Sequence, residues 1–158
     1  MTSLSRARLI AILVPNALLW GAIGSQYIGH LVPCEMCMWQ RWPHIAAILL
    51  ALIAIVLRGN PSASRGFTAL AALAILVSGA IGVYHAGVEY HWWQGFSACT
   101  KPILSGTGDI LAQIMAAPVV RCDVPQWALF GISLAGWNAL ISLISGISIL
   151  WLITRRVR

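Results

Sequence analysis

Charge is what this sequence has least of. Only 9% of its 158 residues are charged, and only four are acidic, against about 25% charged in a typical soluble domain. So few charges cannot keep a globule of this length dissolved, which excludes a soluble enzyme. A disordered chain would need low hydrophobicity, yet 59% of the residues are hydrophobic and the mean hydropathy is +0.84. Internal repeats and low-complexity linkers are missing too. The length leaves no room for a second core, so residues 1–158 are expected to form a single domain. What remains is an integral membrane protein.

The few charges mark out the spans. Uncharged blocks run from Leu9 to Cys34, Trp42 to Leu57, Gly66 to Val88 and Val124 to Thr154, lengths of 26, 16, 23 and 31 residues. A spanning helix needs about 20 residues, and lipid leaves backbone polar groups no alternative to helical pairing. The expected fold is an all-α membrane protein, a four-transmembrane-helix bundle with spans near 9–28, 38–57, 67–88 and 127–152. The second block is too short: 16 residues reach only about 24 Å. Its helix must start earlier, near Pro33 or Cys34, which puts Arg41 at the membrane edge. An ionisable group at that depth is a functional candidate by default.

Acidic residues are absent from one side of the membrane altogether. The N-terminus, the 58–66 turn and the C-terminus carry seven arginines and no acid, whereas the loops 29–37 and 89–126 with Arg41 carry three basic and four acidic residues. The positive-inside rule makes both termini cytoplasmic and those two loops periplasmic, in a bacterial-type inner membrane. The net charge of +6 is therefore a topology signal and does not imply nucleic acid. A signal peptide is the competing reading of residues 1–28, but the apolar stretch exceeds the usual 7–15 residues and no A-x-A site follows. Trp39, Trp42, Trp92, Trp93 and Trp127 fall at outer borders and Trp151 at the inner one, as an aromatic belt requires. Gly66, Gly79, Gly82, Gly87, Gly131, Gly136 and Gly146 suit close helix contacts.

No cysteine lies in a span core or faces the cytoplasm. Cys34, Cys37, Cys99 and Cys122 are the only four, all in the two outer loops, where an oxidising compartment pairs thiols. Three connectivities are open. Cys34 and Cys37 form a C-x-x-C, with Pro33 suited to the first helical position. Cys37 then falls in the first turn of the second span, where free N–H groups favour a thiolate. Arg41 follows one turn later on the same face, and a nearby cation favours that thiolate further. Such a set describes a reactive thiol pair rather than a staple, since short-loop disulfides constrain little of the unfolded chain.

The second pair sits in the long loop. Between Cys99 and Cys122, Ile110, Leu111, Ile114 and Met115 recur at helical spacing, so a short interfacial helix ended by Pro118 is expected. A structural disulfide across this loop is the competing reading. The spacing matches a zinc ribbon poorly, and no metal site is assigned. His44 and His85 lie near outer span ends, which makes a bis-His haem geometrically possible. His44 also shares the face of Cys37 and Arg41 and is placed with Arg41 as a cofactor-binding candidate.

Cys34-Glu35-Met36-Cys37-Met38-Trp39-Gln40-Arg41 resembles the C-x-x-C-x-x-[EQ]-R motif of the DsbB family of bacterial quinone-dependent thiol oxidases. Cys99 and Arg121-Cys122-Asp123-Val124-Pro125-Gln126-Trp127 look like that family's second outer-loop pair, with the P-x-W that opens its last span. The resemblance implies a Cys99–Cys122 disulfide that meets a periplasmic DsbA-like, thioredoxin-fold oxidase. It implies that Cys99 is attacked, that freed Cys122 attacks Cys34, and that Cys37 leaves as a thiolate beside Arg41 to reduce a membrane quinone, ubiquinone or menaquinone. Cys34, Cys37, Cys99 and Cys122 would then be the catalytic residues. A four-span scaffold with structural disulfides and a b-type haem quinol protein are the alternatives from other classes. A vitamin K epoxide reductase-like protein is a more distant one, since its C-x-x-C normally follows a later span.

The charge split generates a direct test. Reporter fusions at Gly59 and at the C-terminus should read cytoplasmic and one at Ser105 periplasmic; a periplasmic signal at Gly59 would invert the topology and its redox argument.

Overall fold

A computed structural model describes residues 2–96 and 120–155. Four helices in it are long and apolar enough to cross a membrane: α1 (Ser3–Tyr27), α2 (Glu35–Val56), α3 (Pro61–Glu89) and α4 (Leu134–Thr154). The expected interfacial helix, and Cys99 with it, lie outside the described residues.

Capping chemistry sets where the helices start, and it moves several borders from their expected places. Thr2 caps α1, its Oγ1 accepting from the N–H of Ser5 at 3.2 Å. Cys34 caps α2 and its sulfur accepts from the N–H of Cys37, so Pro33 precedes the helix instead of occupying its first position. The expected 58–66 turn shrinks to the 3-10 turn Leu57–Gly59 and Asn60. Asn60 caps α3 and Pro61 opens it, the pairing of residues that favours a helix start. The last span starts at Leu134 under a Ser133 cap, seven residues after the Trp127 start read from the sequence. Between them, β1 (Ala128–Leu129) and β2 (Ile132–Ser133) form a small antiparallel hairpin. Its turn holds Phe130 and Gly131 at φ 53° and 77°, a conformation that stops a helix from running through.

Helix α3 packs most extensively, against α2 and α4, while α1 rests on α2 and α4. The buried stripe of α3 is mostly small or hydroxyl residues, Ser64, Thr68, Ala71, Ala72, Ser78, Gly79 and Gly82, with Ile75 in its middle. Lipid is as apolar as leucine, so burying large apolar groups gives no advantage there and close backbone approach does. The large side chains face outward instead, among them Leu13, Leu49, Leu73 and Ile144. Trp39 and Trp42 stand exposed in the first turns of α2, and Trp92, Trp93 and Trp127 on the same end of the bundle. At the other end the Arg155 guanidinium lies 3.4 Å from the centroid of Trp151.

Gly82 marks the closest crossing. A Cβ there would meet the Ala135 carbonyl oxygen and the Ala139 nitrogen at 3.0 Å, both main-chain atoms of α4. At Gly66, included in the expected contact set, a Cβ would meet nothing within 4 Å. Gly82→Ala should therefore destabilise the bundle by about 1–3 kcal/mol through overpacking, whereas Gly66→Ala should be neutral or stabilising through helix propensity. Thermal unfolding of the two variants in detergent checks the contrast.

Candidate active site

The end of the bundle where α1 stops and α2 starts collects the groups that carry chemistry. Because Cys34 is the cap of α2, its sulfur is fixed at the helix end, 3.3 Å from the Cys37 N–H. The Cys34 thiol also donates to Cys37 Sγ, with the sulfurs 2.9 Å apart. Both cysteines are free thiols, Cys34 buried and Cys37 half-buried. The hydrogen bond to Cys37, together with burial, pushes the Cys34 thiol far above the usual thiol range. Cys34 therefore keeps its proton, and Cys37 is the sulfur that receives it as a hydrogen bond.

Cys122 is disulfide-bonded and fully buried. It packs with Cys34, Met36 and Val88 in one cluster, with Cys37, Tyr84 and Val120 against it. The segment carrying it is tied down on both flanks. Gln126 Nε2 donates to the Val32 carbonyl at 2.5 Å, joining the segment before α4 to the α1–α2 connection. Arg121 grips Asp123 with two bonds of 2.8 and 2.5 Å, and that guanidinium holds the Asp123 carboxyl below the usual carboxylate range. Three of the four expected cysteines thus meet at one end of the bundle.

Sequence reasoning missed the polar groups behind the thiols. His85 Nε2 lies 3.5 Å from Cys34 Sγ and 3.7 Å from Glu89 Oε1. Glu89, expected as an outer-loop charge, is buried, its Oε2 accepting from the Ser133 hydroxyl. Gln40 Nε2 meets His85 Nδ1 at 2.8 Å, and Gln40 Oε1 accepts from Asn138 Nδ2 at 2.7 Å. The available signal was spacing: His85 and Glu89 stand at i, i+4 at a span end, and Gln40 precedes Arg41 in the motif. Asn138 offered only its presence as an amide within an apolar run.

The two expected cofactor ligands are both drawn inward. Arg41 does not turn to Cys37; its guanidinium donates to Gln26 Oε1 at 2.7 Å and to the Ala22 carbonyl at 3.2 Å, which ties α2 to α1. His44 is buried, its Nε2 2.9 Å from both Asn138 Oδ1 and Ser78 Oγ. His44 Nε2 and His85 Nδ1 are thus each committed to side-chain partners. A ligand-sized cavity of about 250 Å³ opens beside the thiols, walled by α1, α2 and α4 and lined by Cys34, Cys37, Arg41, His44, His85 and Glu89. Cys34, Cys37 and His85 each place a ligand-type atom within 4.8 Å of the other two. The Gln40 N–H at His85 Nδ1 nevertheless leaves the ring proton on Nε2, the nitrogen facing the sulfurs, where a metal ion would need a lone pair.

A four-span helical protein with a free dithiol at a helix cap, beside a buried disulfide cysteine, is a membrane thiol–disulfide protein. Residues 5–152 match the family model "Disulfide bond formation protein DsbB", and the chain belongs to that family of disulfide-forming membrane oxidoreductases. It is 33% identical to a disulfide bond formation protein B of Burkholderia pseudomallei, over 90% of this chain and 86% of that one. It is 30% identical to another of Verminephrobacter eiseniae, over 90% and 81%. An uncharacterized protein of Rickettsia prowazekii is 27% identical over 75% and 70%. No solved structure matches.

The thiol asymmetry is testable by alkylation. In the reduced protein at neutral pH a small alkylating agent should mark Cys37 at least tenfold faster than Cys34, because the thiolate is the nucleophile. Timed quenching and peptide mass mapping give the order, and Cys34 reacting first would overturn the proton placement.

Proposed function

We propose that the chain reoxidises a soluble, periplasmic DsbA-like dithiol oxidase and passes the two electrons to a membrane quinone. The observation that carries this reading is the free Cys34–Cys37 dithiol opening on an apolar cavity that also holds Arg41. Dithiol oxidation needs a two-electron acceptor, and the spans around the cavity select one that dissolves in lipid. The residues fit a quinone head. Ala17, Leu18, Ala22 and Leu134 supply apolar wall, and Arg41 Nε is buried with no hydrogen-bond partner among the described residues, a donor available to a ring carbonyl. Bound there, a quinone supplies the electron sink, ubiquinone and menaquinone being equally compatible with these groups.

The proposed roles follow the accessibility of each sulfur. The partner's thiolate attacks Cys99 of a Cys99–Cys122 disulfide and forms a mixed disulfide, which the partner's second thiol resolves. Freed Cys122 attacks Cys34 of an oxidised Cys34–Cys37 pair and displaces Cys37 as a thiolate; the Cys99 thiolate then attacks Cys122, re-forming Cys99–Cys122 and releasing Cys34 as a thiol. The packing of Cys122 against Cys34 supports that step, since exchange requires the attacking sulfur to reach the attacked one in line. Two electrons and two protons then reside on the inner pair, the state in which Cys34 and Cys37 are free and Cys122 is disulfide-bonded. The His85 N–H at Cys34 and the Cys37 N–H at the same sulfur orient that pair. Inner-membrane location with both termini cytoplasmic completes the reading, because it puts the four cysteines in the oxidising compartment.

Purified chain, a short-chain quinone and reduced DsbA-like protein should together bleach the quinone absorbance, one quinone per disulfide formed. Arg41→Ala should slow that bleaching tenfold or more while thiol exchange with the partner continues. Arg41→Lys should restore it only in part, offering a point charge in place of a planar fork. Absence of bleaching with the unaltered chain would overturn the proposal.

A further inference from the structure

Two buried polar atoms of cavity-lining residues have no partner among the described residues, Arg41 Nε and His44 Nδ1. Their hydrogen-bonding senses are opposite. Arg41 Nε carries a proton and can only donate. The sense of His44 is set by a ladder of amides pinned at two points by main-chain carbonyls. Gln40 Nε2 lies 3.2 Å from the Met36 carbonyl, which can only accept, so that atom must be the NH2 group. Gln40 Oε1 then faces Asn138 Nδ2, which also donates to the Ser78 carbonyl at 3.3 Å. Asn138 Oδ1 is left to accept, from Ser142 Oγ at 3.0 Å and from His44 Nε2 at 2.9 Å. Ser78 Oγ gives its own proton to the Gln40 carbonyl at 2.9 Å, so it too offers His44 a lone pair.

Both neighbours of His44 Nε2 accept, hence Nε2 carries the proton. Among the described residues no carboxylate bonds this ring, and an unpaired buried imidazolium would be costly. The ring is neutral, and Nδ1 is a bare lone pair.

We propose that His44 Nδ1 accepts from a ring hydroxyl, so that the cavity favours the hydroquinone over the quinone, with Asn138 as the positioning residue that fixes this sense. The inference rests on the quinone reading above and names what that site discriminates. A quinone presents two carbonyls, both acceptors, and a carbonyl facing Nδ1 sets lone pair against lone pair. A hydroquinone presents hydroxyls: one donates to His44 while the oxygen of the other still accepts from Arg41 Nε. Oxidation of the dithiol releases two electrons and two protons as the Cys34–Cys37 bond forms, and the quinone takes up both, its two carbonyls becoming two hydroxyls. A site that binds the hydroxyl form more tightly moves the electron distribution toward the ring by the ratio of the two affinities.

The test separates binding from turnover. In full-length chain carrying Cys37→Ser no electrons move, and Trp127 and Trp137, both lining the cavity, report binding of a short-chain quinone or its hydroquinone by fluorescence quenching. The unaltered His44 site should bind the hydroquinone more tightly. His44→Phe should weaken hydroquinone binding roughly tenfold, the worth of one buried hydrogen bond, and leave quinone binding within about twofold of its starting value. His44→Gln keeps a polar group of similar reach and should retain part of the preference. Asn138→Leu, which frees the ring to change tautomer, should lower the preference without abolishing binding. Equal losses for both ring forms in His44→Phe and His44→Gln would overturn this proposal and leave the quinone site standing. If neither ring form binds with His44 intact, the quinone reading itself falls, and this proposal with it.

Discussion

Lipid cannot satisfy a hydrogen bond, and that constraint shapes the cysteine-bearing half of this bundle. Each polar atom placed among the spans must be answered by protein. The result is a continuous ladder from the thiols inward: Cys34 to His85, His85 to Gln40, Gln40 to Asn138, Asn138 to His44 and Ser142. Three helices contribute to it, so the ladder also fixes how α2, α3 and α4 stand relative to one another. Elsewhere the stripe of small residues would tolerate sliding, since glycine and alanine contacts specify distance better than register. Hydrogen bonds with a donor and an acceptor end specify both. Against such thorough pairing, an atom without a partner is informative, and Arg41 Nε and His44 Nδ1 belong to residues that line the one cavity described.

Much of this was legible in the sequence, because charge scarcity and the membrane rules act on composition alone. Four spans follow from the uncharged blocks, and the position of the C-x-x-C at a helix start follows from the short second block. Borders were less legible, since they depend on single capping residues. Asn60-Pro61 brought α3 forward by six residues, and the 128–133 hairpin pushed α4 back, an effect of left-handed residues at 130 and 131 that hydropathy does not register. The face of Arg41 was read from helical spacing, but its direction depends on Gln26 and Ala22 of another helix. Glu89 looked like a loop charge because burial of a carboxyl beside His85 and Ser133 is a tertiary fact.

The placement of Cys34 at the helix cap explains how one C-x-x-C can hold two unlike sulfurs. A capping side chain is committed to the backbone: Cys34 Sγ accepts from the Cys37 N–H and cannot swing away without uncapping α2. Its proton is directed at Cys37, and the His85 ring closes the remaining side. Cys37 has no such commitment. It sits three residues into the helix, half-buried, on the wall of the cavity. One sulfur is thus immobilised among buried neighbours, Cys122 included, and the other faces the space where an acceptor fits. On the proposed reading this divides the labour of the pair: Cys34 takes electrons from the outer loop, and Cys37 gives them up toward the lipid. The division needs no difference in residue type, because the helix start alone makes the two positions inequivalent.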